Sequence, residues 1–147
     1  MSNLQFFLNE KAKVAGVSLG VPRLGDAGFD LPTVEDINIP AKSSLLISTG
    51  IHLAIPVGWV GLLRDRSSVG VKGGAVTAGV IDAGYRGEVK VFMHNLSDKD
   101  LSFKKGDRIA QCLVLPHLSG EGVEEVQDVE MLGTTERASG GFGSTGQ

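Results

Sequence analysis

The chain has 147 residues, 41% of them apolar, and a net charge of −3, which allows one domain with a real core and gives no bulk electrostatic reason to bind nucleic acid directly. Cys112 is the lone cysteine, which excludes an internal disulfide framework and fits a reducing compartment. No apolar run approaches membrane-spanning length and no basic-then-apolar leader is visible, so the expectation is a soluble, intracellular (cytoplasmic) protein with no membrane contact.

Leu4 to Leu8 reads as a short apolar strand, and Lys11 to Leu24 as a strand followed by loop. Gly25-Asp26-Ala27-Gly28-Phe29-Asp30-Leu31-Pro32 is a turn leading into extended chain. Asp30 lies between Phe29 and Leu31, next to buried surface, and from this motif alone it reads as a turn or capping residue. Ile37-Asn38-Ile39-Pro40 and Ser44 to Leu53 read as strands, with Gly50 marking a bulge or a close backbone approach. Pro56-Val57-Gly58 is a turn, and Trp59 to Leu63 continues as strand.

In Arg64-Asp65-Arg66-Ser67-Ser68-Val69-Gly70 a guanidinium fork stands beside two hydroxyls, a combination suited to an oxyanion. The same stretch reads as a capped helix start at Ser67 or Ser68, and the two readings are compatible because helix N-termini bind anions. Gly79 to Val89 reads as a tight hairpin, with Val80 and Ile81 against Val89 to Val91, the bend near Tyr85, and Val80 opposite Lys90. Its main chain could read a flat polar edge, and its tip could aim Asp82 and Tyr85 into a cleft. An ordinary surface hairpin is the other reading.

Glu88 to His94 alternates, with Val89, Val91 and Met93 on one face. Ile109 to Leu115 is nearly all apolar and reads as buried on both faces, which obliges Gln111 to find a hydrogen-bond partner. Leu118 to Glu130 is acidic and glycine-spaced, a connection with one more short strand. Arg137 to Gly146 has the composition of a disordered tail. It also holds the parts of a flap, with Arg137 for phosphate, Phe142 for stacking, and Gly143, Ser144 and Thr145 to wrap closely. About ten short strands with frequent turn signals make the class all-β, a sandwich or barrel.

Five stretches together resemble the trimeric dUTPases (deoxyuridine triphosphate nucleotidohydrolases). They are Ala27 to Leu31, Arg66-Ser67-Ser68, Gly79 to Gly87, Gly106 to Gln111, and Arg137 to Gly146, in the family's order. The resemblance implies a jelly-roll-like β-barrel or sandwich over residues 1–132, a Gly-rich arm over 133–147, and a homotrimer with active sites at subunit interfaces. It implies hydrolysis of dUTP to dUMP and pyrophosphate with Mg²⁺, which limits uracil in DNA and supplies dUMP for thymidylate synthesis.

The roles it implies are these. Asp82 is the general base that activates water toward the α-phosphorus. Tyr85 packs on the deoxyribose, and Gly79, Val80 and Ile81, with Lys90, read the uracil edge. Ser67 contacts the oxygens between the α- and β-phosphates, with Arg66 and the Ser68 amide helping to hold that loop, and Gln111 reaches the phosphates from its strand. Arg137 meets the γ-phosphate, Phe142 stacks on the base, and Gly143, Ser144 and Thr145 line the triphosphate. Asp30 acts on the waters of a Mg²⁺ carried by the nucleotide. Asp65, Ser68, Ala138 and Phe29 stand where the family commonly has Pro, Gly, Gly and Tyr. A related deoxycytidine triphosphate deaminase would need a Glu where Phe92 stands and an Arg where Val71 stands. A non-catalytic, nucleotide-switched binding protein is the reading from another class, against which Asp82, Tyr85 and the complete tail weigh.

Overall fold

Strands β1 (Gln5–Leu8), β2 (Gly28–Pro32), β3 (Ile37–Ile39), β4 (Ser44–Ala54) and β5 (Trp59–Asp65) are followed by β6 (Gly74–Thr77), β7 (Val80–Ile81), β8 (Glu88–Asn95), β9 (Leu101–Phe103) and β10 (Arg108–Pro116). Two short helices interrupt them, α1 (Glu10–Ala15) and α2 (Ser67–Gly70). The computed structural model describes residues 3–135. By internal contacts the chain divides into Met1–His117 and Leu118–Gln147. Arg137, Phe142, Gly143, Ser144 and Thr145, the flap residues expected from the sequence, lie outside the described residues.

One antiparallel sheet has the order β1-β4-β8-β6, a second has β2-β10-β5-β7, and β3 pairs with β9. This is the all-β, jelly-roll-like sandwich expected from the sequence. The core draws on both sheets: Ile47, Ile51, Leu53, Val89, Val91 and Met93 from the first, and Leu31, Leu63, Ile109 and Cys112 from the second. The period-two reading of β8 holds, because Val89, Val91 and Met93 are fully buried. Burial pushes the Cys112 thiol up to about 11 against an opposing backbone hydrogen bond at Leu62, so the sulfur stays protonated and inert.

Four expectations are corrected. Residues 10–15 are helical, not extended. Asn9 caps the helix by accepting from the Ala12 N–H at 3.2 Å, and Gly16 closes it at φ 68°. One and a half turns with a single buried residue, Ala12, leave no period to read. Strand β10 is not buried on both faces. Ala110 and Cys112 are fully buried, whereas Leu113 is partly covered and Leu115 is 43% exposed. Gln111, Leu113 and Leu115 share the outer face of their sheet with Val60, Leu62 and Val80 of neighbouring strands.

Beyond Pro116 no strand occurs among the described residues; a 3-10 turn at Val129–Leu132, capped by Asp128, takes its place. The last correction concerns the hairpin. Val80 does not face Lys90: β7 pairs with β5, Leu62 opposite Val80 and Gly61 opposite Ile81, while Lys90 faces Ser48 on β4. The chain leaves the first sheet after Thr77, turns at Ala78 (φ 53°), and buries Ile81 beside Gly61 in the second sheet. The strand that does pair with β8 on the hairpin side is β6.

Gly50 carries the bulge in β4, between Ser48 and His52. Its φ is 68°, and a Cβ there would lie 2.6 Å from the Ala12 Cβ and 2.9 Å from the Asn9 cap oxygen. Gly50→Ala therefore strains the backbone and the α1 cap together. The expected loss is on the order of 2 kcal/mol of unfolding free energy in urea titration. Unchanged stability would contradict this account of the bulge.

Candidate active site

Two groups of side chains carry polar chemistry. The first gathers on Asp30. Strand register places Asp30 of β2, Gln111 of β10 and Arg64 of β5 in one row across the second sheet. Asp30 is also fixed by paired main-chain hydrogen bonds with Gly20, both 2.9 Å. Its carboxylate takes Arg66 Nε at 2.8 Å on one oxygen and Arg108 Nη1 at 2.9 Å on the other. The Arg66 guanidinium also reaches the Arg108 carbonyl at 3.4 Å. One carboxylate between two guanidiniums leaves net positive charge beside the exposed Ser67 and Ser68, a setting for a polyanion.

Sequence reading allowed a cap at Ser67 or Ser68. In the structure the capping position is Arg66, in extended conformation, and its carbonyl accepts from the Val69 and Gly70 N–H groups at 2.9 Å each. The two serines form the exposed first turn of the helix. Gln111 finds the partner it needs: its Nε2 donates to the Asp65 carbonyl at 3.1 Å, and its Oε1 occupies the space over Gly28, where a Cβ would be 2.2 Å away.

The second group is the turn after β7. The Tyr85 N–H donates to the Asp82 carbonyl at 3.0 Å, closing a four-residue bend with Ala83 and Gly84 at its centre. The Asp82 side chain is exposed. Tyr85 lies across Gly87, where a Cβ would sit 2.3 Å from the phenol oxygen, and its hydroxyl donates to the Glu88 carbonyl at 3.0 Å. β7 ends its sheet, so one edge pairs with β5 and the other carries no strand among the described residues. The Leu63 N–H donates to the Gly79 carbonyl at 2.7 Å, anchoring the approach to that edge. Lys90 is exposed on β8.

The structure thus brings together Asp30, Arg66, Ser67, Ser68 and Gln111 at one end of β2, β10 and β5. It brings together Gly79, Val80, Ile81, Asp82 and Tyr85 on and after β7.

Sequence reading missed four supporting residues. Arg108 lies in the Gly106 to Gln111 stretch, where the sequence assigns it no role of its own, and in the structure it holds one oxygen of Asp30. Arg86 braces the bend, its Nη1 donating to the Ala83 and Tyr85 carbonyls at 2.7 and 2.8 Å. His52 Nδ1 lies 2.9 Å from the Arg86 carbonyl, which can only accept, so that nitrogen carries the proton. Glu88 accepts from the Ser48 hydroxyl and from the Gly50 N–H at 2.8 Å, tying the returning strand to the β4 bulge. A polar residue at the start of an otherwise alternating strand was the available signal for Glu88.

Comparison with known proteins adds an independent line. The family model described as dUTPase matches residues 20–146. The chain is 49% identical over 131 residues to a deoxyuridine 5'-triphosphate nucleotidohydrolase of Candida albicans, covering 86% of this chain and 81% of that one. It is 45% identical over 123 residues to the protein of the same name from Paramecium bursaria Chlorella virus 1, covering 83% and 84%. Among solved structures, the dUTPase of Staphylococcus bacteriophage 80alpha with dUpNHpp is similar over 100% of both chains, with a TM-score of 0.86 and 27% identity. A D95N mutant dUTPase from phage phi11 of S. aureus, described with a coordinated structural Mg(II) ion, is similar over 88% of this chain and 99% of that one, with a TM-score of 0.75 and 26% identity.

Burial raises the Glu88 carboxyl, but the Ser48 hydroxyl, the Gly50 amide and the charges of Lys90 and Lys11 outweigh it, and the net shift is downward. A depressed carboxyl stabilises the fold above its unfolded pKa of about 4.3 and loses that contribution as pH falls below it, through the folded value. Urea midpoints at neutral and acid pH are therefore expected to converge for Glu88→Gln and the parent as pH drops, with the variant weaker at pH 7. A gap that persists unchanged below the folded value would remove Glu88 from this role.

Proposed function

The chain belongs to the dUTPase family, and on that premise we propose how its residues hydrolyse dUTP to dUMP and pyrophosphate. The reaction keeps uracil out of DNA and supplies dUMP for thymidylate synthesis. The observation that carries the reading is the bend after β7, where an exposed carboxylate and an exposed aromatic ring stand together beside an unpaired strand edge.

Asp82 is the general base. It orients a water toward the α-phosphorus and takes its proton as the new P–O bond forms and pyrophosphate leaves. No covalent nucleophile is required; positioning and charge stabilisation lower most of the barrier. The open edge of β7 offers the main chain of Gly79, Val80 and Ile81 to the uracil edge, whereas Lys90 lies on β8 opposite Ser48. Tyr85 packs on the deoxyribose and leaves no room for a 2′-hydroxyl. The positive surplus around Asp30 supports phosphate binding by Arg66, Ser67, Ser68 and Gln111. Arg137 takes the γ-phosphate, Phe142 covers the base, and Gly143, Ser144 and Thr145 line the phosphates. In this scheme residues 1–132 are the catalytic domain and 133–147 the arm that closes over it.

A magnesium ion fits this donor set as a passenger on the nucleotide. Among the described residues no group of three or more His, Cys, Asp or Glu is arranged to cage a metal. The Asp30 oxygens offer about four acceptor sites, of which the two guanidiniums engage two, so the carboxylate can still accept from metal-bound waters. The ion supplies neutralisation of phosphate charge when bound.

The partner is a second and third copy of the chain. The outer face of the second sheet, with Val60, Leu62, Val80, Leu113 and Leu115, gives an apolar surface that a homotrimer would cover, with active sites completed at the interfaces. No helix among the described residues is long and apolar enough to cross a membrane. We propose a cytoplasmic place of work, in keeping with a free nucleotide substrate.

Asp82→Asn is expected to retain dUTP binding while kcat falls by about a thousandfold or more. Turnover near that of the parent would take the base role away from Asp82. Deleting Arg137 to Gln147 is expected to leave a folded trimer, by sedimentation and circular dichroism, with little activity. Full activity in that truncated chain would dismiss the arm as part of the site.

A further inference from the structure

The bend that carries Asp82 and Tyr85 is short, exposed and connected to the sandwich at few points. Its one internal main-chain bond runs from the Tyr85 N–H to the Asp82 carbonyl. A single such bond in water contributes about 1 kcal/mol, too little to hold two functional side chains in a fixed relation. Two further carbonyls, those of Ala83 and Tyr85, face the Arg86 side chain, and one amino group of its guanidinium donates to both, at 2.7 and 2.8 Å. A charged donor roughly doubles the strength of each bond. The Arg86 carbonyl is fixed in turn by His52 Nδ1 at 2.9 Å, and His52 belongs to β4, with Glu88 of β8 as its register partner. The brace is thus anchored to a central strand of the first sheet.

We infer that Arg86 is a positioning residue for the hydrolysis. Through the Ala83 and Tyr85 carbonyls it fixes the main chain that carries Asp82 and Tyr85, while the Tyr85 hydroxyl is held separately by the Glu88 carbonyl at 3.0 Å, so that water activation and sugar selection both draw on one guanidinium. The inference rests on the roles given above to Asp82 and Tyr85. The amino group that braces the bend is engaged by main-chain oxygens, which separates this role from phosphate binding: a lost phosphate contact raises KM, whereas a loosened bend lowers kcat. Gly87 contributes to the same pose, because the missing Cβ is what lets the Tyr85 ring lie where it does.

The test compares Arg86→Met, which keeps an apolar stem and removes the donors, with Arg86→Lys, which keeps a charged donor on a shorter arm. Steady-state kinetics with dUTP and with UTP are read beside thermal midpoints, and Asp82→Asn is assayed in parallel. For Arg86→Met the expected result is a fall in kcat of about tenfold to a hundredfold, since displacements near 1 Å have that cost. KM changes less, the UTP-to-dUTP ratio of kcat/KM rises about tenfold, and the midpoint stays close to the parent. Arg86→Lys recovers part of both losses. Parental kcat and selectivity in Arg86→Met, with Asp82→Asn inactive, overturn the inference alone. A rise in KM at unchanged kcat overturns it in favour of substrate contact. Loss of activity that follows a lowered midpoint and is restored on cooling overturns it in favour of a merely structural role. Normal turnover by Asp82→Asn instead overturns the reading on which the inference stands.

Discussion

One carboxylate shared by two guanidiniums joins three strands of the second sheet. Asp30 belongs to β2, Arg66 follows β5, and Arg108 begins β10. An exposed ion pair contributes little, about 1 kcal/mol or less. This one differs in its setting: the Asp30 side chain is only 20% exposed and Arg66 only 31%. Its main effect is geometric. Without the carboxylate, two cations would repel each other at the point where β5 turns into α2, and the serine pair would lose its fixed position. The same carboxylate offsets only one of the two positive charges, so the clamp that orders the loop also leaves it attractive to phosphate. Structure and electrostatics here come from the same few atoms.

The second constraint is the way the chain divides its strands between sheets. β6 and β8 belong to one sheet and β7, which lies between them in sequence, to the other. The detour is imposed by Ile81, which is buried against the second sheet beside Gly61. Because β7 is only two residues long and ends its sheet, it has an edge free for a ligand without presenting a long aggregation-prone strand. The bend that follows must then return to β8, whose first residue, Glu88, is tied to the β4 bulge at Gly50, while His52 of β4 holds the Arg86 carbonyl.

Much of this was legible in the residues. Alternation identified β8, the glycine at position 50 announced the bulge, and Gln111 had to find a partner. Five ordered stretches pointed to the family and the chemistry. The failures have physical causes. Residues 10–15 form too short a helix to display a period, and the cap at Asn9 was the signal overlooked. The Val80–Lys90 pairing assumed that strands adjacent in sequence pair with each other, a local rule that the burial of Ile81 overrides. The apolar run in β10 concealed an alternation, because Leu113 and Leu115 are apolar yet face outward. Arg86 and Arg108 act through carbonyls and a carboxylate that only the folded chain brings within reach, so no spacing could have revealed them.

Cys112 has a use that its inertness creates. A thiol protonated at neutral pH and sealed between the two sheets meets an alkylating reagent only when the sandwich opens. Being the chain's single cysteine, it records that opening without background. Its labelling rate is a built-in clock for how often the barrel breathes, and slowing of that clock by a nucleotide would measure, in time, how tightly a ligand grips the closed form.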